Sequence, residues 1–215
     1  MAIPQDIIDN IIEAVDDRRS LKECALVSSS FLLPCRKHLF SKLFLGYNRS
    51  RPSHWQSLHR FLVENPVIHS FVRSITIYDF SYDTFNCVWN NPSLIAILRL
   101  PFCCLESFFI DNVGERMRWD NDFGTELLDT LSTIIHSSTL KTLYITGVYV
   151  PIMLFLGVNL TKLELTGLSL YDFDGAQSRL LTSEGAATTA FHSVVNHCVL
   201  KDIRPTYGTR FPTFA

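Results

Sequence analysis

Four stretches of the chain gather side chains that could do chemistry. Cys35-Arg-Lys-His38, and His192 with His197-Cys198, put thiol and imidazole close in sequence, the spacing at which two ligands share one zinc ion. Asp172 opens DFDGAQS, whose carboxylates stand as they do at the start of a calcium loop, but the later ligands are missing. Glu115, Arg116, Arg118, Asp120 and Asp122 collect charge of both signs. Each has a plainer reading. The half-sites do not close a coordination shell, Cys35 and His38 fit a helix, DFDG suits a solvated turn, and the charged cluster suits an exposed loop or a substrate contact. No metal and no cofactor is expected. There is no G-x-S-x-G, no P-loop and no G-x-G-x-x-G among the nine glycines. Without a nucleophile beside a base, paired carboxylates or a phosphate loop, no catalytic residue is expected and a hydrolase is the least favoured reading.

Composition narrows the remaining classes. The 215 residues are 47% hydrophobic and 19% charged, enough for a real core in one domain or two small ones. A net charge of -2 with both signs dispersed gives no footprint for nucleic acid or anionic lipid. The apolar run from Val148 to Val158 falls short of the roughly 18 residues of a membrane span, and Pro151 interrupts it. The six cysteines lack framework spacing. Reduced thiols in the cytoplasm or nucleus are therefore expected, with no membrane and no nucleic acid as partner.

The elements that position these residues fall into two groups. In IPQDIIDNIIEAV, from Ile3, acidic residues interrupt the aliphatics, unlike a secretory h-region. On a helical wheel Ile7, Ile8, Ile11, Ile12 and Val15 cover an arc of roughly 140°. So broad a stripe is either a deeply embedded core helix or a helix that packs on its own domain and on a partner as well. Ser20 with Glu23 predicts a capping box opening a second helix, with Leu21, Cys24, Ala25 and Val27 inward and Leu26 as a further candidate for that side. The Ser28-Ser29-Ser30 run predicts a break. Pro34 suits the first turn of a third helix, which would carry Leu39, Phe40, Leu43 and Phe44 inward and stop at Gly46.

Beyond residue 46 one template recurs. VRSITIYDF from Val72, LESFFIDNV from Leu105, LKTLYITGV from Leu140 and LTKLELTGL from Leu160 are apolar at positions 1, 4, 6 and 9, and positions 4 and 6 alternate as in a half-buried strand. Helical stretches separate them: SHWQSLHRFLVEN, with Ser53 and Gln56 as a capping box, then PSLIAILRL and TELLDTLSTIIHS. A fifth unit is expected in AATTAFHSVVNHCVLKDI, a helix followed by a strand starting near Leu200. Alternating strands and helices predict an α/β fold with a parallel sheet. An ordinary open α/β sheet is the plainer alternative to a repeat array. The template L-x-x-L-x-L is that of leucine-rich repeats, but the usual asparagine or cysteine at position 9 is replaced by Phe80, Val113, Val148 and Leu168, which predicts a looser α/β solenoid.

Taken together, the chain resembles F-box proteins with a leucine-rich-repeat-like C-terminal region. The likeness is carried by the aliphatic-proline pair Ile3-Pro4, then Gln5-Asp6, the aliphatic pairs Ile7-Ile8 and Ile11-Ile12, the second-helix residues Leu21, Cys24, Ala25, Val27 and Ser28, the aromatic Phe31 where the family often has tryptophan, and the closing pair Leu39-Phe40. It implies a three-helix F-box domain over residues 1–46, a leucine-rich-repeat-like domain with a parallel sheet over 47–204, and an irregular tail over 205–215. It further implies docking on a Skp-family adaptor, through it a cullin/RING ubiquitin ligase, and a protein substrate held by the repeats. The docking set would be Pro4, Ile7, Ile8, Ile11, Ile12, Val27, Phe31 and Phe40, some of which must instead form the domain's own core. Substrate contacts would come from Thr76, Tyr78, Tyr144, Thr146, Glu164 and Thr166. A repeat scaffold not coupled to ubiquitin transfer is the alternative.

Overall fold

The structure is a computed structural model that describes residues 3–46, 54–79, 89, 91–113, 117–119, 123–155, 157–166, 170–171 and 198–201. Three helices come first: α1 (Gln5–Glu13), α2 (Arg18–Val27) and α3 (Ser29–Leu39). Ile8 and Ile12, one turn apart on α1, are buried against Leu21 of α2 and Cys35 of α3, with Val15, Cys24, Ala25, Phe31 and Leu39 around them. This small core is separate from the larger one that the sheet builds.

The caps of α2 and α3 correct two sequence expectations. The cap of α2 is Asp17, three residues before Ser20; its carboxylate accepts from the Ser20 amide at 2.7 Å and from the Ser20 hydroxyl at 2.8 Å. Glu23 instead pairs with Arg19 at 3.1 Å. Ser28 ends α2 and caps α3, its hydroxyl accepting from the Ser30 amide. Pro34 therefore lies inside α3 rather than in its first turn. A proline there has no amide to give the carbonyl four residues back, which is that of Ser30. The Gln5 side-chain amide reaches this carbonyl from α1, at 3.4 Å.

The third helix does not run to Gly46. It stops at Leu39, and Lys42–Gly46 form β1, a parallel partner of β2 (Ser74–Asp79). Period two decides the matter, because Leu45 is buried while Lys42 and Phe44 are exposed. The stretch FSKLFLGYN from Phe40 in fact fits the same 1-4-6 template, with Phe40, Leu43 and Leu45 at those positions.

Six parallel strands form the main sheet in the order β1, β2, β3 (Ser107–Asn112), β5 (Thr142–Thr146), β7 (Lys162–Thr166) and β9 (Cys198–Lys201). Short strands β4 (Met117–Arg118), β6 (Val148–Pro151) and β8 (Leu170–Tyr171) pair in parallel alongside. The fold is thus mixed α/β with a parallel sheet. β9 begins at Cys198, two residues before the expected start, while the helix expected ahead of it lies outside the described residues.

Register aligns the template copies. Leu43, Ile75, Phe108, Leu143 and Leu163 stand side by side, as do Leu45, Ile77, Ile110, Ile145 and Leu165. Onto this face pack α4 (His54–Glu64), α5 (Pro92–Leu98) and α6 (Thr125–Ile135), through Trp55, Leu62, Leu94, Ile97, Leu127 and Leu131. Template position 2 repeats as well: the carbonyls of Ser41, Arg73, Glu106 and Lys141 each accept two amides from the next copy, at 2.8–3.0 Å. The Ser41 member stitches the end of the helical segment to the sheet.

A polar residue does leave each of two strands, one position earlier than the leucine-rich pattern has it. Asp79 and Asn112 are buried at position 8, and the Asn112 side-chain amide donates to the Gly147 carbonyl at 3.0 Å. Gly147 has φ +70, and a Cβ there would come within 2.0 Å of the Asn112 carbonyl oxygen. Only glycine admits both this backbone and this approach.

Candidate interaction surfaces

The first surface is the outer side of α1. Consecutive helical residues point about 100° apart, so the aliphatic pairs Ile7-Ile8 and Ile11-Ile12 split. Ile8 and Ile12 are 2% exposed, whereas Ile7 and Ile11 are 46% and 44% exposed. Pro4 is exposed, and so is Val27, at 76%, which with exposed Leu26 corrects the inward placing expected for the end of α2, where the helix gives way to Ser28. Phe31 is half-buried in the helical core, and half-buried Phe40 packs on the sheet core with its ring 6.0 Å from that of Phe61. The expected docking set thus divides into an outward group (Pro4, Ile7, Ile11, Val27), an inward pair (Ile8, Ile12) and two half-buried rings. Ile3, Leu26 and Leu33, outside that set, are exposed too. The bond from Gln5 to Ser30 draws the start of α1 to the α2–α3 junction, where Leu26, Val27 and Leu33 stand.

The second surface is the sheet face opposite the helices. Template position 5 forms one row across it: Phe44, Thr76, Phe109, Tyr144 and Glu164. Position 7 forms another: Gly46, Tyr78, Asp111, Thr146 and Thr166. The six expected substrate contacts are thereby brought together in two adjoining rows, all half-buried. Phe44, Phe109 and Asp111 are the members that sequence reading passed over. The template itself was the available signal, since positions 5 and 7 of the copy at Leu105 are Phe109 and Asp111.

Charge on this face is mostly paired. At the strand entries Glu106 bonds Arg73 at 3.1 Å and Lys141 at 3.2 Å, and Lys162 bonds Glu164 at 3.0 Å. Asp111 has neither an ion pair nor a hydrogen bond to its carboxylate among the described residues, and burial pushes its carboxyl above the ordinary aspartate range. In the same row the hydroxyls of Thr146 and Thr166 are buried without a partner among the described residues.

The chain matches no family model, no curated protein and no solved structure. Its chemistry must therefore be read from its own geometry. Cys35, half of one sequence-level metal pair, is fully buried in the helical core, and burial raises its thiol pKa. Cys24, Cys103 and Cys104 are free thiols as well. Among the described residues no three His, Cys, Asp or Glu side chains converge on a metal position. His192, His197, the Asp172 run and most of the Glu115–Asp122 cluster lie outside the described residues. A cleft of about 410 Å³ opens between α5 and α6, but its threonines are already engaged: Thr130 Oγ1 donates to the Glu126 carbonyl and accepts from Arg99, and Thr133 Oγ1 donates to the Asp129 carbonyl. Among the described residues no helix is long and apolar enough to cross a membrane.

Proposed function

We propose that the chain is a substrate-recognition subunit of a Skp/cullin/F-box ubiquitin ligase. In this reading α1 to α3 form an F-box that docks on a Skp-family adaptor. The sheet unit is an irregular leucine-rich-repeat-like solenoid that holds a protein substrate on its open face. One observation carries the reading: the α1 stripe divides, with Ile8 and Ile12 spent on the helical core and Ile7 and Ile11 left exposed, as are Ile3, Pro4 and Val27. A helix that needed only its own core would have no use for the second aliphatic of each pair. Buried apolar anchors dominate interfaces of this kind. The F-box-like order of residues supplies the identity of the occupant, and the regular rows of the open face support the substrate side.

Co-expression with a Skp-family adaptor tests the proposal. Wild type should co-purify with it, and Pro4→Ala with Ile7→Ala should abolish co-purification while the chain remains folded. Unchanged pull-down would defeat the docking claim. Adaptor binding without recruitment of the cullin would favour a scaffold uncoupled from ubiquitin transfer.

A further inference from the structure

Asp111 is out of keeping with the rest of the sheet face. Glu106 and Glu164, the other acids at strand entries and on the open face, each hold a lysine or arginine. Asp111 is half-buried and holds neither among the described residues. Its register neighbours are Tyr78 on β2 and Thr146 on β5, neither charged at neutral pH. Phe109 precedes it by two residues on the same face, and the Phe109 ring lies 6.0 Å from that of Tyr144. Strands lie about 4.8 Å apart and residues i and i+2 about 6.6 Å apart, so Tyr78, Phe109 and Tyr144 occupy positions adjoining Asp111 on the same face.

An unpaired, partly desolvated carboxylate costs stability. In the same row the Thr146 and Thr166 hydroxyls are enclosed and have no partner among the described residues, so the half-buried Asp111 carboxylate is the group a ligand can reach. A carboxylate that accepts two parallel N–H bonds and the aromatic faces beside it together complement a guanidinium: it is planar, carries five donors and stacks on rings. An ammonium, with three donors on a point charge, matches fewer of these groups.

We infer that Asp111, with Tyr78, Phe109 and Tyr144, receives an arginine side chain of the protein segment bound on this face. The inference rests on reading the open face as the substrate side. Recognition by the other positions adds to this contact without replacing it.

The full chain is titrated with an acetylated, amidated Ala-Ala-Arg-Ala-Ala peptide and its citrulline and lysine counterparts, following the backbone amide NMR shifts of Tyr78, Asp111 and Thr146. The arginine peptide should give saturable shifts, and binding should weaken about tenfold or more with citrulline or in Asp111→Asn. Equal response to citrulline, or an unaffected Asp111→Asn, overturns the site; equal affinity for lysine overturns the guanidinium assignment. A second readout separates recognition from structural support. Because the folded carboxyl binds its proton more tightly than the unfolded one, ionising Asp111 subtracts stability as pH rises through the aspartate range. Asp111→Asn should therefore melt no lower than wild type at neutral pH, and its relative advantage should shrink in acid. A lower Tm at neutral pH would mark Asp111 as a structural residue and overturn the site. Adaptor pull-down of the same variant should be unchanged. Arginine binding with no adaptor docking would refute the ligase reading alone, and adaptor docking with no arginine binding would refute this site alone.

Discussion

Ile7 and Ile8 are chemically identical neighbours in different surroundings. Ile8 is closed in by Leu21 and Cys35, so truncating it empties a packed volume; Ile8→Ala should cost about 2–4 kcal/mol by denaturant unfolding. Ile7 is 46% exposed, and Ile7→Ala should stay within about 0.5 kcal/mol of wild type. Equal losses would mean that the stripe does not divide. The sequence established that the stripe was broad but not which members turned inward, because that depends on where α3 lies, and α3 is positioned by contacts distant in sequence. Asp17 offers a second residue-level check. The Ser20 amide and hydroxyl hold its carboxyl below the ordinary range. A depressed folded pKa contributes stability above the unfolded pKa and loses it as pH falls below about 4. Asn also caps helices, so Asp17→Asn should keep the cap yet shed part of the acid sensitivity seen in thermal melts. Identical melting profiles of the two proteins below pH 4 would contradict the assignment.

At the scale of elements, strands were easier to read than the helix ends. The four template copies became β2, β3, β5 and β7 because alternation of two apolar positions with half-exposed ones is a local property that a buried sheet face preserves. β1 escaped because Leu39, Phe40, Leu43 and Phe44 also fit a helical face, and over so few residues the two periods coincide. What distinguishes them is Ser41, whose carbonyl takes the amides of Arg73 and Ser74 from the next template copy. Turns carry a separate constraint, visible in sequence only as a glycine. Gly147 lies against the Asn112 backbone at positive φ, so Gly147→Ala must both strain its backbone and push β5–β6 from β3. A loss of at least about 1–2 kcal/mol is expected in equilibrium unfolding, and an unchanged midpoint would show that the turn can relax.

For the whole molecule, the structure builds two separate cores, and the proposed function assigns one binding surface to each. The helical core is small, and a unit of three short helices gains from association with a partner as well as from its own packing. The stitch at Ser41 continues the amide ladder of the sheet into the chain that leaves α3, which gives the two surfaces a continuous backbone connection. The central claim is that the outer half of the α1 stripe docks a Skp-family adaptor. Its most direct test is calorimetric titration of a purified Skp-family adaptor into wild type and into Ile7→Ala with Ile11→Ala, each first shown to unfold with the same midpoint. Saturable binding to wild type, weakened at least about tenfold in the variant, is the expected result. Equal affinity of the two proteins, or no binding by a folded wild type, would contradict the claim.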